Sequence, residues 1–315
     1  MKRGVIDVLR RGLDDTVANW PLILIRVGET IVFAAISIAA IFVLLVPAAI
    51  SIGISLSNLK TTPEDIEGVL MLLASRWIVL VWILVGAFIL IGVFLAMHSF
   101  VEAGCARVFV DAEKAAGAAN EGPRSRFHLF SMERWMSGGT SGWWTIFWIY
   151  NVAWGLAGLI LLIPLIPTII LMLVFGEEPA VLIGVGVAGL AVTVMLGIVV
   201  AIITGMWTNR AIVDWAAHGD GANAALSRAW KSFRADLGRH VLVALAALVV
   251  AMAGSSFFAS FSFFAAFSQA TSHHGMFDLV TLPIRLLVSL ASTAFSAFVT
   301  NWYVAAYASL AVENK

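Results

Sequence analysis

Arg26 and Glu29 stand three positions apart at the start of a long apolar stretch. Ionisable groups inside a bilayer are costly and are functional candidates by default. An arginine beside a carboxylate could hold a proton or a polar substrate. The same spacing also makes an i,i+3 pair on one helix, with Arg26 snorkelling to the near interface and neutralising Glu29. Counted from Pro21 at 1.5 Å per residue, Glu29 lies on the order of 12 Å along the helix, a shallow position. Arg26 and Glu29 are therefore the candidate intramembrane polar site, and the reading of them is structural.

His98 and Glu102 have the i,i+4 spacing of a metal-ligand pair, but no further ligands of matching spacing accompany them. His273 and His274, in a turn with Ser, Thr and Gly, have the same shortfall. A single cysteine, Cys105, rules out an internal disulfide or a cysteine metal cluster. The sequence contains no phosphate-binding Walker loop, no Gly-x-Ser-x-Gly elbow, no His-Glu-x-x-His and no dinucleotide fingerprint. No catalytic residue, cofactor or metal is assigned, and the chain is expected not to be an enzyme.

The elements that carry these residues are set by composition. Of the 315 residues 61% are hydrophobic and 12% charged, and the mean hydropathy is +0.97. A soluble fold cannot hide that much apolar surface. Crossing about 30 Å of hydrocarbon takes roughly 20 helical residues. Charge-poor runs of that length occur at about Gly28 to Ile54, Trp77 to Met97, Trp143 to Phe175, Pro179 to Trp207, Val241 to Phe267 and Leu279 to Ala308. The expectation is an all-α bundle of six transmembrane helices in a single domain, 1–315, with no room for a globular domain.

Net charge is zero, yet Lys and Arg fall on alternate connections. Lys2, Arg3, Arg10, Arg11 and Arg26 precede or open the first span; Arg107, Lys114, Arg124, Arg126 and Arg134 lie between the second and third; Arg210, Arg228, Lys231, Arg234 and Arg239 lie between the fourth and fifth. The opposite connections hold Lys60 and Arg76, and Arg285 just inside the sixth span, where it reads as an interfacial anchor. By the positive-inside rule both termini are expected in the cytoplasm. The first apolar run is too long for the core of a cleavable signal peptide and reads as a retained anchor.

Amphipathic stretches precede the odd-numbered spans. In the first, Val5, Val8, Leu9, Gly12, Leu13 and Val17 share a face opposite Asp7, Arg10, Arg11, Asp14 and Asp15, before Trp20 and Pro21. In the last, with Asp220 as expected N-cap, Ala222, Ala225, Leu226, Ala229, Trp230 and Phe233 lie opposite Ser227, Arg228, Lys231 and Arg234. A weaker middle copy, about 126–136, ends at a Gly138-Gly139 break. Arg107 to Asp111 and Arg210 to Asp214 share Arg-x-x-Val-Asp. These signals predict three repeats, about 1–100, 101–207 and 208–315, each a cytoplasmic interfacial helix followed by a transmembrane hairpin, all three parallel in orientation. Arg10, Arg11, Arg228, Lys231 and Arg234 are the candidate interfacial contacts. Like orientation argues against inverted-repeat carriers.

With Ala-Leu-x-x-Ala-Trp at Ala225 to Trp230 after Arg210 to Asp214, the chain resembles bacterial six-span proteins similar to the membrane domain of glycerophosphodiester phosphodiesterases. The resemblance implies a fold. The chain lacks that enzyme's soluble catalytic domain, so it implies no hydrolase activity.

Pro164 and Pro167 interrupt the third span, and Ser255 to Phe267 alternates Phe with Ser and Ala. Both suit helix packing, and both suit a lipid-accessible path. Two function classes stand: a non-enzymatic membrane scaffold or accessory subunit, and a translocator of a lipid or hydrophobic solute. The partners expected are membrane lipids and another membrane protein, not nucleic acid.

Overall fold

Gly4 and Pro21 bracket the first helix. The Gly4 amide donates to Asp7 Oδ2 at 3.2 Å, and Pro21, which lacks an N–H, opens the helix that follows. The computed structural model describes residues 3–52, 77–117, 124–175, 179–271 and 276–313. Its helices are α1 (Val5–Ala18), α2 (Pro21–Ile52), α3 (Trp77–Ala116), a 3-10 turn (Arg124–Phe127), α4 (Met132–Val174), α5 (Pro179–His218), α6 (Ala222–Ala235), α7 (Leu237–Thr271) and α8 (Met276–Glu313). The protein is all-α among the described residues.

Six of these helices, α2, α3, α4, α5, α7 and α8, are long and apolar enough to cross a membrane. In the most apolar stretch of each, at most 11% of the residues are buried within the protein. Such a surface suits lipid, which solvates apolar side chains and leaves helix association to close packing. The 40 residues of α3 measure roughly 60 Å, about twice the hydrocarbon thickness. The helices therefore extend well past the apolar runs visible in the sequence.

Two compact units are defined: Ile25–His98, and Met1–Leu24 with Ser99–Lys315. Within the first, Phe33 packs on Phe94 at 4.7 Å between ring centroids, and Gly86 lies against the Leu44 side chain. These contacts run in opposite chain directions along α2 and α3.

In the second unit the spans are joined through glycines. Gly189 lies against Thr168, Gly186 against Met172 and Gly142 against the Trp215 ring, so α4 and α5 pack antiparallel at close range. Gly254 receives the Phe295 ring, and Phe258 lies 5.9 Å from the same ring, which uses the described part of the Phe/Ser run for packing of α7 on α8. The buried core of this unit lies in the helix extensions. Val108, Phe109 and Val110 of α3, Ile146 and Ile149 of α4, Ile212 and Val213 of α5 and Val304 to Ala306 of α8 are essentially inaccessible, together with Val8 of α1 and Ala225 and Ala229 of α6. A packed helical layer thus stands where the apolar runs alone left no room for one.

The two outer amphipathic segments form separate helices, α1 and α6, but the middle one does not. Residues 126–136 divide between the 3-10 turn, an irregular link and the first turn of α4. Ser131 starts α4, its Oγ accepting from the Arg134 amide at 3.1 Å, and the helix passes through Gly138 and Gly139 without a break. Those glycines serve contact. A Cβ at Gly138 would stand 2.7 Å from Arg107 Cβ, and one at Gly139 would stand 2.6 Å from the Phe100 ring. The helix likewise continues through Pro164 and Pro167.

Candidate functional site

Glu113, near the end of α3, is the centre of the charged end of the larger unit. Its Oε1 accepts from Arg11 Nε at 2.8 Å and also pairs with Arg3 Nη1. Arg11 Nη2 donates to the Gly117 carbonyl at 2.8 Å, and the Arg11 guanidinium carbon lies 5.2 Å from the centre of the Phe127 ring. Gly117 can offer that carbonyl because α3 ends on it at φ +69, a left-handed conformation that glycine adopts without strain. Arg3 also donates to Ser309 Oγ at 2.9 Å, and its amide pairs with Glu313. Glu313 Oε2 accepts from Arg239 Nη2 at 2.8 Å, and the same nitrogen donates to the Arg3 carbonyl at 2.6 Å. The residues leading into α1 are thus tied to the ends of α3 and α8 and to the start of α7.

Asp15 and Asn19 extend this network toward the 3-10 turn. Asn19 Nδ2 donates to Asp15 Oδ1 at 2.7 Å and to the Phe127 carbonyl at 2.7 Å, while its Oδ1 accepts from the Leu129 and Phe130 amides at 3.1 and 2.8 Å. One side chain therefore holds the link between α3 and α4. Asp15 is fully buried and its Oδ2 has no hydrogen-bond partner. Burial, with the Glu113 carboxylate beside it, holds the Asp15 carboxyl well above the ordinary 3.8; Asn19 and Arg11 oppose this.

These contacts correct the expected face of α1. Arg11 is 3% exposed, and Arg11, Gly12, Asp15, Thr16 and Asn19 form the buried side with Val8, whereas Ile6 and Val17 are exposed. The helix docks its polar face on protein, because Glu113, Gly117 and Phe127 supply partners that local periodicity cannot show. Of the expected interfacial contacts on this helix, Arg10 is exposed and Arg11 is buried. On α6 the expected stripe is buried at Ala225, Leu226, Ala229 and Phe233, with Lys231 and Arg234 exposed. Its N-cap is Gly221; Asp220 instead pairs with Arg228.

The Arg-x-x-Val-Asp pair has one geometry in two settings. Arg210 Nη2 meets Asp214 Oδ1 at 3.1 Å with both side chains sealed, and Arg107 Nε meets Asp111 Oδ2 at 3.3 Å with both partly open. Arg107 Nη1 and Lys114 Nζ also donate to the Ala216 and Ala217 carbonyls at 3.1 and 3.2 Å, capping the last turn of α5 with cations.

Within the smaller unit, Glu29 Oε1 bonds His98 Nδ1 at 2.8 Å, a partner 69 positions away that the Arg26 reading did not anticipate. Arg26 is buried, and its carbonyl accepts from Thr30 Oγ1 at 3.1 Å. Among the described residues no group of three His, Cys, Asp or Glu side chains is placed to hold a metal ion. His273 and His274 lie outside the described residues.

A second feature is an apolar groove of about 670 Å³ between α4, α5 and α6, walled by Leu156, Ile160, Ile163 and Ile203 and closed by Trp207 and Trp230. Trp207 Nε1 donates to the Leu226 carbonyl at 2.9 Å, fixing its indole beneath α6, and the two indoles meet at 5.6 Å.

Fold and site together define a polytopic all-α membrane protein whose buried charges are interlocked at one end of its larger unit. No family model, curated protein or solved structure matches the chain.

Proposed function

We propose that this chain is a non-enzymatic scaffold or accessory subunit of a bacterial inner membrane, with its charged, packed end and both termini in the cytoplasm. The supporting observation is the Arg3, Arg11 and Glu113 cluster. Its carboxylate is neutralised by two guanidiniums and sealed from solvent, an arrangement that locks helices together. The basic connections, read by the positive-inside rule, support a cytoplasmic position for that end. The resemblance to the membrane domain of glycerophosphodiester phosphodiesterases rests on the short motifs, as does the three-fold hairpin repeat, which the shared Arg-x-x-Val-Asp geometry favours.

Co-purification from native membranes in mild detergent tests the reading. A stoichiometric protein partner that is lost when Lys231 and Arg234 are both changed to Glu, in a chain that still inserts and folds, supports it. A chain that purifies alone and moves fluorescent lipid across reconstituted vesicles would replace it with the second reading, a lipid or hydrophobic-solute translocator. The groove closed by Trp207 and Trp230 favours that alternative, since its wall matches an acyl chain.

A further inference from the structure

The end of α5, one face of α6, the start of α7 and the end of α8 line a half-open cavity of about 510 Å³. Its wall has an excess of hydrogen-bond donors left without acceptors. Arg210, 1% exposed, donates from Nε to Asp214 Oδ2 at 3.2 Å and holds Nη2 in an ion pair 3.1 Å from Asp214 Oδ1, but its Nη1 has no partner. Arg239 gives both terminal nitrogens away, to Asp236, Glu313 and the Arg3 carbonyl, and its Nε has none. Arg228 pairs through Nη2 with Asp220, and its Nη1 is unbonded. Lys231 and Ser232 complete that side of the wall. His240, 3% exposed, is held in a stack between the Phe233 and Tyr307 rings at 5.7 and 5.6 Å.

Buried donors without acceptors are rare in folded proteins and demand an explanation. Several converging N–H groups on guanidiniums match a ligand that only accepts and has more than two oxygens, the geometry in which arginine holds phosphate. Of the wall's carboxylates, Asp236 is engaged by Arg239 and Asp214 accepts from Arg210 through Oδ2, which leaves Asp214 Oδ1 as one unbonded acceptor against three unbonded guanidinium nitrogens. We propose that this cavity binds a phosphate group, from a soluble phosphate or from an anionic lipid headgroup, held by Arg210, Arg228, Lys231 and Arg239. Its dimensions leave room for a group of headgroup size. The site lies on the other side of α6 from the residues that close the apolar groove, and it stands whether the chain is a scaffold or a translocator.

The test is thermal unfolding of the full chain. In neutral detergent, sodium phosphate is compared with sodium chloride at matched ionic strength. In nanodiscs, phosphatidylcholine alone is compared with phosphatidylcholine containing phosphatidic acid. The expected result is a saturable rise in unfolding temperature with one of the two phosphate probes. Lys231→Gln, at an exposed position, should weaken the apparent affinity about tenfold, as expected for loss of one charge-assisted hydrogen bond. Arg234→Gln, on the same helix but outside the cavity wall, should leave it unchanged. A response to inorganic phosphate assigns the site to soluble phosphates, and a response to phosphatidic acid alone assigns it to a lipid headgroup. No response to either probe, or equal weakening by Arg234→Gln, would overturn the proposal.

Discussion

Arg11 and Glu113 are 102 positions apart, and their side chains meet at 2.8 Å with almost no exposure. Breaking a buried pair by removing one charge typically costs about 3–5 kcal/mol, because the surviving charge stays desolvated. Glu113→Gln removes the counter-charge of both Arg3 and Arg11 and is expected to cost about 3 kcal/mol or more in denaturant unfolding in detergent. Arg124 pairs with Asp14 at 2.7 Å but is largely exposed, and Arg124→Gln should cost under about 1 kcal/mol. Equal losses for the two variants would contradict the buried network.

Asp15 gives the fold a pH dependence of defined sign. Its carboxyl in the folded chain is held above the ordinary 3.8, so across the interval between those values the folded state binds more proton than the unfolded state. Stability from this group is therefore full below the ordinary value and is lost as pH rises through the raised one. Asp15→Asn should abolish that component, so the difference in unfolding temperature between wild type and variant shifts in favour of wild type as pH is lowered from neutral. A difference that stays constant with pH would refute the assignment.

Gly12 is where α1 meets α8. A Cβ there would stand 2.7 Å from the Ala306 amide nitrogen, backbone that cannot rotate away. Gly12→Ala should cost about 1–3 kcal/mol, the range for overpacking a close contact. Gly155→Ala is the control, since nothing lies within 4 Å of its added methyl, and helix propensity favours alanine there. Thermal unfolding of both variants separates contact from propensity, and a Gly12→Ala chain as stable as wild type would contradict the packing.

The Arg-x-x-Val-Asp motif shows both what the sequence reveals and what it hides. The motif was legible as a shared spacing, and in both copies the arginine pairs with the aspartate four positions on, but burial differs because Arg210 and Asp214 are sealed. Asp214→Asn is therefore expected to cost about 3 kcal/mol, and Asp111→Asn under about 1 kcal/mol, in the same unfolding assay. Similar costs would mean the two copies are equivalent in burial.

Apolar runs and the i, i+3, i+4, i+7 stripe of α6 were readable because each is a local property of the chain. The polar buried face of α1, the His98 partner of Glu29 and the contact role of Gly138 and Gly139 were not readable. Each depends on a residue distant in sequence. Charge at helix ends reads as solvated until a partner such as Glu113 is known to be there. The donor-rich cavity was hidden for the same reason: Arg210, Arg228 and Arg239 belong to three helices.

The central claim is that the packed, ion-paired end of the larger unit faces the cytoplasm. In a Cys105→Ala background, single cysteines at the exposed positions Ser125 and Ser227 are treated with a membrane-impermeant thiol reagent, on intact cells and after permeabilisation. The account predicts labelling at both positions only after permeabilisation. Labelling of either cysteine on intact cells would contradict it.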